Sequence, residues 1–69
     1  MDKKIFSEVI DNVGLIWFNR PEKKNALNDE LWFGLPELIK KLDDNKEVRV
    51  IIIAAKGDTF SAGIDINLL

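Results

Sequence analysis

From Ile5 to Ile10 the side chains alternate: Phe6, Glu8 and Ile10 fall on one side, Ile5, Ser7 and Val9 on the other. A period of two predicts a strand with one face toward solvent. Asp11 and Asn12 follow, a pair that tolerates positive φ or bonds its own backbone. Val13 to Phe18 is apolar on both faces. Two short strands joined by such a pair predict a β-hairpin. Residues 19–25 are polar around Arg20-Pro21. The proline pushes Arg20 toward extended geometry and ends any regular ladder.

The period then becomes helical. Asn28 is a good N-cap, and Asp29 and Glu30 place negative charge where the dipole of a helix favours it. Leu31, Leu35, Leu38 and Leu42 recur at helical spacing, with Trp32 and Ile39 widening the stripe. Lys40 and Lys41 suit the negative pole. Gly34 and Pro36 interrupt the stripe, and an interior proline costs roughly 3 kcal/mol. The pattern therefore predicts a bend between Trp32 and Pro36, or two shorter helices.

Residues 43–47 read as a polar connection and residues 48–54 as a strand, with Val50, Ile51, Ile52 and Ile53 apolar on both faces. Strands of that kind belong to parallel sheets covered by helices. Strand, crossover helix and second strand make a βαβ unit, expected to be right-handed. Lys56-Gly57-Asp58 predicts a turn, and another helix is expected to begin within residues 64–69. The segment closes on Leu68-Leu69 without a cap, which predicts a truncated chain: residues 1–69 as part of one α/β domain.

Composition narrows the chemistry. The chain has 69 residues, and a chain of about 60 buries only about 60% of its unfolded surface. It contains no cysteine, so no disulfide or thiolate metal site supports it. It contains no histidine, the commonest general base and metal ligand. Chemistry here must rest on carboxylates, lysines, backbone groups or a bound cofactor. Apolar residues make up 46% and charged residues 32%, the balance of a globular chain. A net charge of −2 with mixed signs argues against a nucleic-acid surface or a membrane anchor. No apolar run is long enough to span a bilayer, and no apolar stretch follows Met1-Asp2-Lys3-Lys4 as in a signal peptide. The expected compartment is the cytoplasm.

Two loops carry the candidate chemistry. The first is Asn19-Arg20-Pro21-Glu22-Lys23-Lys24-Asn25-Ala26-Leu27, between a strand and a helix. The second is Gly57-Asp58-Thr59-Phe60-Ser61-Ala62-Gly63-Ile64-Asp65-Ile66, after the next parallel strand. Ligands in parallel α/β structures gather beyond the carboxyl ends of strands. Small side chains admit a ligand to the backbone, and a helix start offers unpaired N–H groups. Each stretch alone also has a plain reading. Arg20, Lys23 and Lys24 suit a solvated loop, Ser-Ala-Gly an ordinary turn, Asp65 a cap or surface carboxylate, and Trp17 and Trp32 the core.

Taken in order, the pattern Asn-Arg-Pro-x-x-x-Asn-Ala-Leu, a helix, an apolar strand, then Gly-x-x-Phe-Ser-Ala-Gly-x-Asp resembles the N-terminal part of the enoyl-CoA hydratase/isomerase (crotonase) superfamily. The resemblance implies the first turns of a crotonase-type ββα spiral. It implies lyase or isomerase chemistry on acyl-CoA thioesters in fatty acid metabolism, with water addition to a 2-enoyl-CoA as the default. It implies no cofactor, because coenzyme A is part of the substrate, and a trimer or hexamer as the assembly. Ile64 matches the position whose backbone N–H is one of two oxyanion-hole donors. Ala62, Gly63, Asp65 and Ile66 match the segment along the adenine and pantetheine path. Lys24 matches an often basic position near the coenzyme A phosphates, and Ala26 a small residue beside the same ligand. The family's second donor and its acid/base carboxylates lie farther along than residue 69. The alternative is a non-catalytic fragment or assembly module with part of a coenzyme A groove.

Overall fold

The computed structural model describes residues 3–68. It contains β1 (Ile5–Ile10), β2 (Val13–Phe18), a 3-10 turn (Pro21–Lys23), α1 (Asp29–Asp43), β3 (Val50–Ala55) and a second 3-10 turn (Ile66–Leu68). The strands form one sheet in the order β1-β2-β3, β1 antiparallel and β3 parallel to β2. Both expected strands of the hairpin have the expected bounds. Asp11 and Asn12 have φ of 49° and 69°, the positive values that a tight two-residue hairpin turn requires. Asn12 also anchors the entry to β3: its Nδ2 donates to Glu47 O at 2.8 Å, and its carbonyl accepts from Arg49 N–H at 2.8 Å.

Those bonds help explain why β3 begins at Val50 and not at residue 48. Val48 N–H is already committed to Asn45 O in a turn, so the ladder with β2 opens at the Val13–Val50 pair.

One face of the sheet carries α1. Ile5, Ile16, Phe18, Leu31 and Leu42 form the buried core, with Leu35, Leu38, Ile51 and Ile53 packed against it. Full burial of such a side chain stabilises by about 1.5–3 kcal/mol. Asn28 caps the helix, its side chain accepting from Leu31 N–H at 3.0 Å. The expected division of the helix is not found: Asp29–Asp43 runs through Pro36 as one element. Leucines on both sides of the proline hold the two halves to the same sheet, and Pro36 lies on the exposed side, where water can reach the carbonyl it leaves unpaired. Gly34 has its own reason, since a Cβ there would meet Ile5 Cγ2 at 3.0 Å, and its absence lets the helix approach β1. Trp32, expected in the core, is on the exposed side of α1.

The opposite face of the sheet is less covered. Register places Phe6, Glu8 and Ile10, then Val13, Leu15 and Trp17, then Val50, Ile52 and Ala54 upon it. Ile10, Val50 and Ile52 are exposed. Trp17 is partly shielded: Lys56 Nζ sits 4.0 Å from its ring centroid, and its Nε1 donates to Glu8 Oε1 at 2.9 Å. No helix among the described residues is long and apolar enough to cross a membrane.

Candidate functional site

Because β2 and β3 are parallel, the loops that follow Phe18 and Ala55 leave the sheet at the same end. They are tied there by Lys56 N–H donating to Phe18 O at 2.8 Å. The first loop closes upon itself. Pro21–Lys23 forms the 3-10 turn, and Lys24 and Asn25 take positive φ of 53° and 54°. Arg20 O accepts from both Lys23 N–H and Asn25 N–H.

Asn25 joins this loop to the second. Its side chain is wholly buried and fully used. Oδ1 accepts from Arg20 N–H at 2.8 Å, while Nδ2 donates to Lys56 O at 2.8 Å and Thr59 O at 2.7 Å. Both donors and an acceptor are met without water, the condition for burying an amide at small cost.

From there the segments run side by side. Ala62 N–H donates to Lys24 O at 2.9 Å, Ser61 Oγ to Asn25 O at 2.9 Å, Leu27 N–H to Gly63 O at 2.7 Å and Asp65 N–H to Leu27 O at 3.0 Å. Leu27 and Ile64 thus form an isolated parallel bridge. Arg20 spans the pair: its Nη1 donates to Ala26 O at 2.9 Å and to Asp65 Oδ2 at 2.8 Å, with side chains only 14% and 12% exposed. Asp65 Oδ1 accepts from Asn67 N–H at 2.9 Å. That bond, then the Arg20 guanidinium, holds the Asp65 carboxyl below its ordinary value of 3.8.

The bridge fixes the direction of one peptide unit. Gly63 has φ of 99°, a left-handed value that favours glycine, and its carbonyl points at Leu27. In a trans peptide the N–H lies opposite the carbonyl, so Ile64 N–H points away from Leu27. It has no acceptor among the described residues. Ile64 as a residue is 46% exposed, which places the bridge at the surface.

The structure thus brings Lys24, Ala26, Ala62, Gly63, Ile64 and Asp65 together on two adjoining segments. Ile66 stands apart at 80% exposure. Lys24 lines a recess of about 240 Å³ with Pro21, Asn25, Gly57, Asp58 and Thr59. Its ammonium has no ion pair among the described residues. The helix expected within residues 64–69 is replaced, over the described part, by the bridge at Ile64 and the 3-10 turn; Leu69 lies outside the described residues. Once Asp65 N–H is bonded to Leu27 O, the chain at Ile64 is extended, and a helix cannot start there. Asp65, expected along a ligand path, has its carboxylate engaged by the Arg20 guanidinium and Asn67 N–H. Arg20 and Asn25 were expected only as loop residues. The sequence signal for them was the Asn-Arg-Pro and Asn-Ala-Leu pattern itself, which spacing alone does not translate into a clamp.

Comparison with known proteins gives a consistent picture. Residues 8–69 match the family model described as Enoyl-CoA hydratase/isomerase. The mitochondrial Delta(3,5)-Delta(2,4)-dienoyl-CoA isomerase of Mus musculus is 35% identical over 51 residues, 74% of this chain and 16% of that protein. Among solved structures, a probable enoyl-CoA hydratase from Mycobacterium smegmatis aligns at 41% identity and a TM-score of 0.88, over 93% of this chain and 26% of its own. The enoyl-CoA hydratase of Mycobacterium tuberculosis H37Rv aligns at 31% identity and a TM-score of 0.91, over 97% of this chain and 27% of its own.

Proposed function

The chain belongs to the enoyl-CoA hydratase/isomerase family, and from that premise we propose that it is the N-terminal part of a crotonase-type domain acting on acyl-CoA thioesters. Ile64 N–H is one of two donors that hold the thioester oxygen as it gains charge toward an enolate. Lys24 meets the phosphates of coenzyme A, while Ala26, Ala62, Gly63, Asp65 and Ile66 border its path. The reaction class is lyase or isomerase, with water addition to a 2-enoyl-CoA as the default, in a cytoplasmic trimer or hexamer. No cofactor enters beyond the coenzyme A of the substrate.

One observation carries this reading: Ile64 N–H is aimed outward by the locked Gly63 carbonyl and has no acceptor among the described residues. A preorganised backbone donor costs no reorganisation when charge develops, and one such donor is worth about 3–4 kcal/mol in a transition state. The side chain at Ile64 need not take part.

The test is a titration of the ¹⁵N-labelled chain with a β-ketoacyl-CoA, whose enolate carries charge on the thioester oxygen. The Ile64 amide is expected to move downfield, with Lys24 and Ala62 shifting as the coenzyme seats. Shifts that spare Ile64 would refute the donor assignment. A second reading is favoured by the exposed apolar residues Ile10, Val50 and Ile52 on the sheet face away from α1. In it the chain is a non-catalytic module that assembles with other polypeptide and keeps part of a coenzyme A groove. Turnover of crotonyl-CoA by the chain alone, above a heat-killed control, would sink that reading.

A further inference from the structure

We infer that Arg20 is a positioning residue for the Ile64 donor: its guanidinium, bridging Ala26 O and Asp65 Oδ2, keeps the two loop segments in register and so sets the direction of the Ile64 N–H. This rests on the oxyanion reading of Ile64 but adds a residue that touches neither the substrate nor the reacting oxygen.

The geometry runs in a short chain of bonds. The direction of Ile64 N–H is set by the plane of the Gly63–Ile64 peptide. That plane is held by Leu27 N–H on Gly63 O at 2.7 Å, and the next peptide by Asp65 N–H on Leu27 O at 3.0 Å. On the other side Gly63 N–H donates to Ser61 Oγ at 3.1 Å, and Ala62 N–H to Lys24 O at 2.9 Å. Gly63 adopts φ of 99° with nothing within 4 Å of where a Cβ would be, so hydrogen bonds and not side-chain packing set its conformation. Beyond Ile64, Ile66 is solvent-exposed and adds no packing.

Arg20 adds to these backbone bonds a side-chain restraint that spans both segments. One nitrogen, Nη1, reaches both strands of the bridge: Ala26 O, just before Leu27, and Asp65 Oδ2, just after Ile64. The contact with Ala26 fixes one rail and the contact with Asp65 the other. The arginine backbone is itself fixed, its N–H held by the buried Asn25 side chain and its carbonyl by two N–H groups. A planar guanidinium can direct its N–H bonds to two acceptors in set directions. A lysine supplies a point charge on a flexible stem and does not reproduce that fork. Both side chains of the pair are mostly buried, which separates the pair from the exposed ones at Lys4–Glu22 and Lys40–Asp44.

The test measures the order of the Ile64 N–H bond by ¹⁵N relaxation in the free protein, with no ligand needed. The wild-type order parameter is expected near the rigid-backbone value of about 0.85, and Arg20→Gln is expected to drop it below about 0.6, with the β2 amides unchanged. Arg20→Lys should fall between the two, and Asp65→Asn should resemble Arg20→Gln. A merely structural arginine would lower the melting temperature and leave Ile64 as ordered as its neighbours. An Ile64 bond that stays rigid in a folded Arg20→Gln chain overturns the inference. So does failure of Arg20→Gln, Arg20→Lys and Asp65→Asn all to fold, since the pair would then support the whole chain and not this donor. The β-ketoacyl-CoA titration separates the two layers. Loss of order at Ile64 in the variant, with no ligand response at Ile64 in the wild type, upholds the positioning and refutes the oxyanion role.

Discussion

Replacing Asn25 with alanine removes three hydrogen bonds at once, and the loss can be worked from the geometry. The amide accepts from Arg20 N–H and donates to the carbonyls of Lys56 and Thr59, all within 2.8 Å, from a side chain with no exposure. Each backbone group left without a partner in a buried setting costs about 1–3 kcal/mol. Alanine also occupies the left-handed φ of 54° less readily than asparagine, which adds about 1 kcal/mol. Even if water reaches two of the three groups, the total is at least about 2–3 kcal/mol. A domain of this size has in all about 3–10 kcal/mol. The expected result is a large drop in the urea midpoint followed by far-UV circular dichroism, in trimethylamine oxide if the variant is unfolded in plain buffer. Asn25→Asp sharpens the test. It keeps the acceptor for Arg20 N–H but sets a second carboxylate oxygen against the two carbonyls. Burial and those carbonyls raise the pKa of the introduced acid above its unfolded value. Its protonated form can donate, so stability relative to wild type is best at low pH and is lost as the pH rises through the raised value. A cost below about 1 kcal/mol for Asn25→Ala, or an Asn25→Asp chain as stable as wild type at neutral pH, would refute the proposed role of the amide.

Further tests bear on the same loops. Asp65 has a folded pKa below 3.8, so its pairing contributes stability above that value and loses it as the pH falls through the lower folded value; Asp65→Asn should flatten the acid limb of a stability-against-pH curve. Gly57→Ala should destabilise more than Gly63→Ala in a thermal melt, because both residues have positive φ but only at Gly57 would the new Cβ meet Pro21 Cβ, at 2.8 Å. In an enzyme carrying this segment, Ile64→Ala should be mild and Ile64→Pro should lower kcat about 10²–10³-fold with little change in coenzyme A affinity, measured by steady-state kinetics alongside a melt. The melting temperature of the chain should rise with protein concentration, since apolar residues on the free sheet face gain from a partner; a sharp, concentration-independent melt of a proven monomer would count against that.

Much of the architecture was legible because local signals agreed with tertiary ones. The hairpin bounds followed from alternation ending at Asp11-Asn12, and Asn28 capped the helix as its side chain suggested. Pro36 does not divide the helix, because it falls on the exposed side and leucines hold both halves to the sheet, neither of which propensity counts. The start of β3 was misplaced because Val48 has the side chain of a strand residue, while its N–H is taken by Asn45 O. In the loops the sequence pattern pointed to the right segments but not to the roles within them. Arg20 and Asp65 are 45 positions apart, and nothing local marks them as partners. Asn25 reads only as a loop residue, while its positive φ and its three side-chain bonds are non-local or depend on the folded loop.

The contact between Lys56 and Trp17 gives the protein a built-in optical label. Trp17 lies near the end of β2 with a lysine ammonium 4.0 Å from its ring centroid, whereas Trp32 sits on the open side of the helix. A nearby cation shifts and quenches indole emission through its field, and an exposed indole emits to the red. Trp32→Phe therefore leaves a signal from Trp17 alone that depends on where Lys56 is. Lys56 opens the second loop, so lifting of that loop from the sheet would register as a change in Trp17 colour before the helix content falls. Local opening of the loop could then be timed in stopped flow separately from unfolding of the whole chain, without attaching a dye.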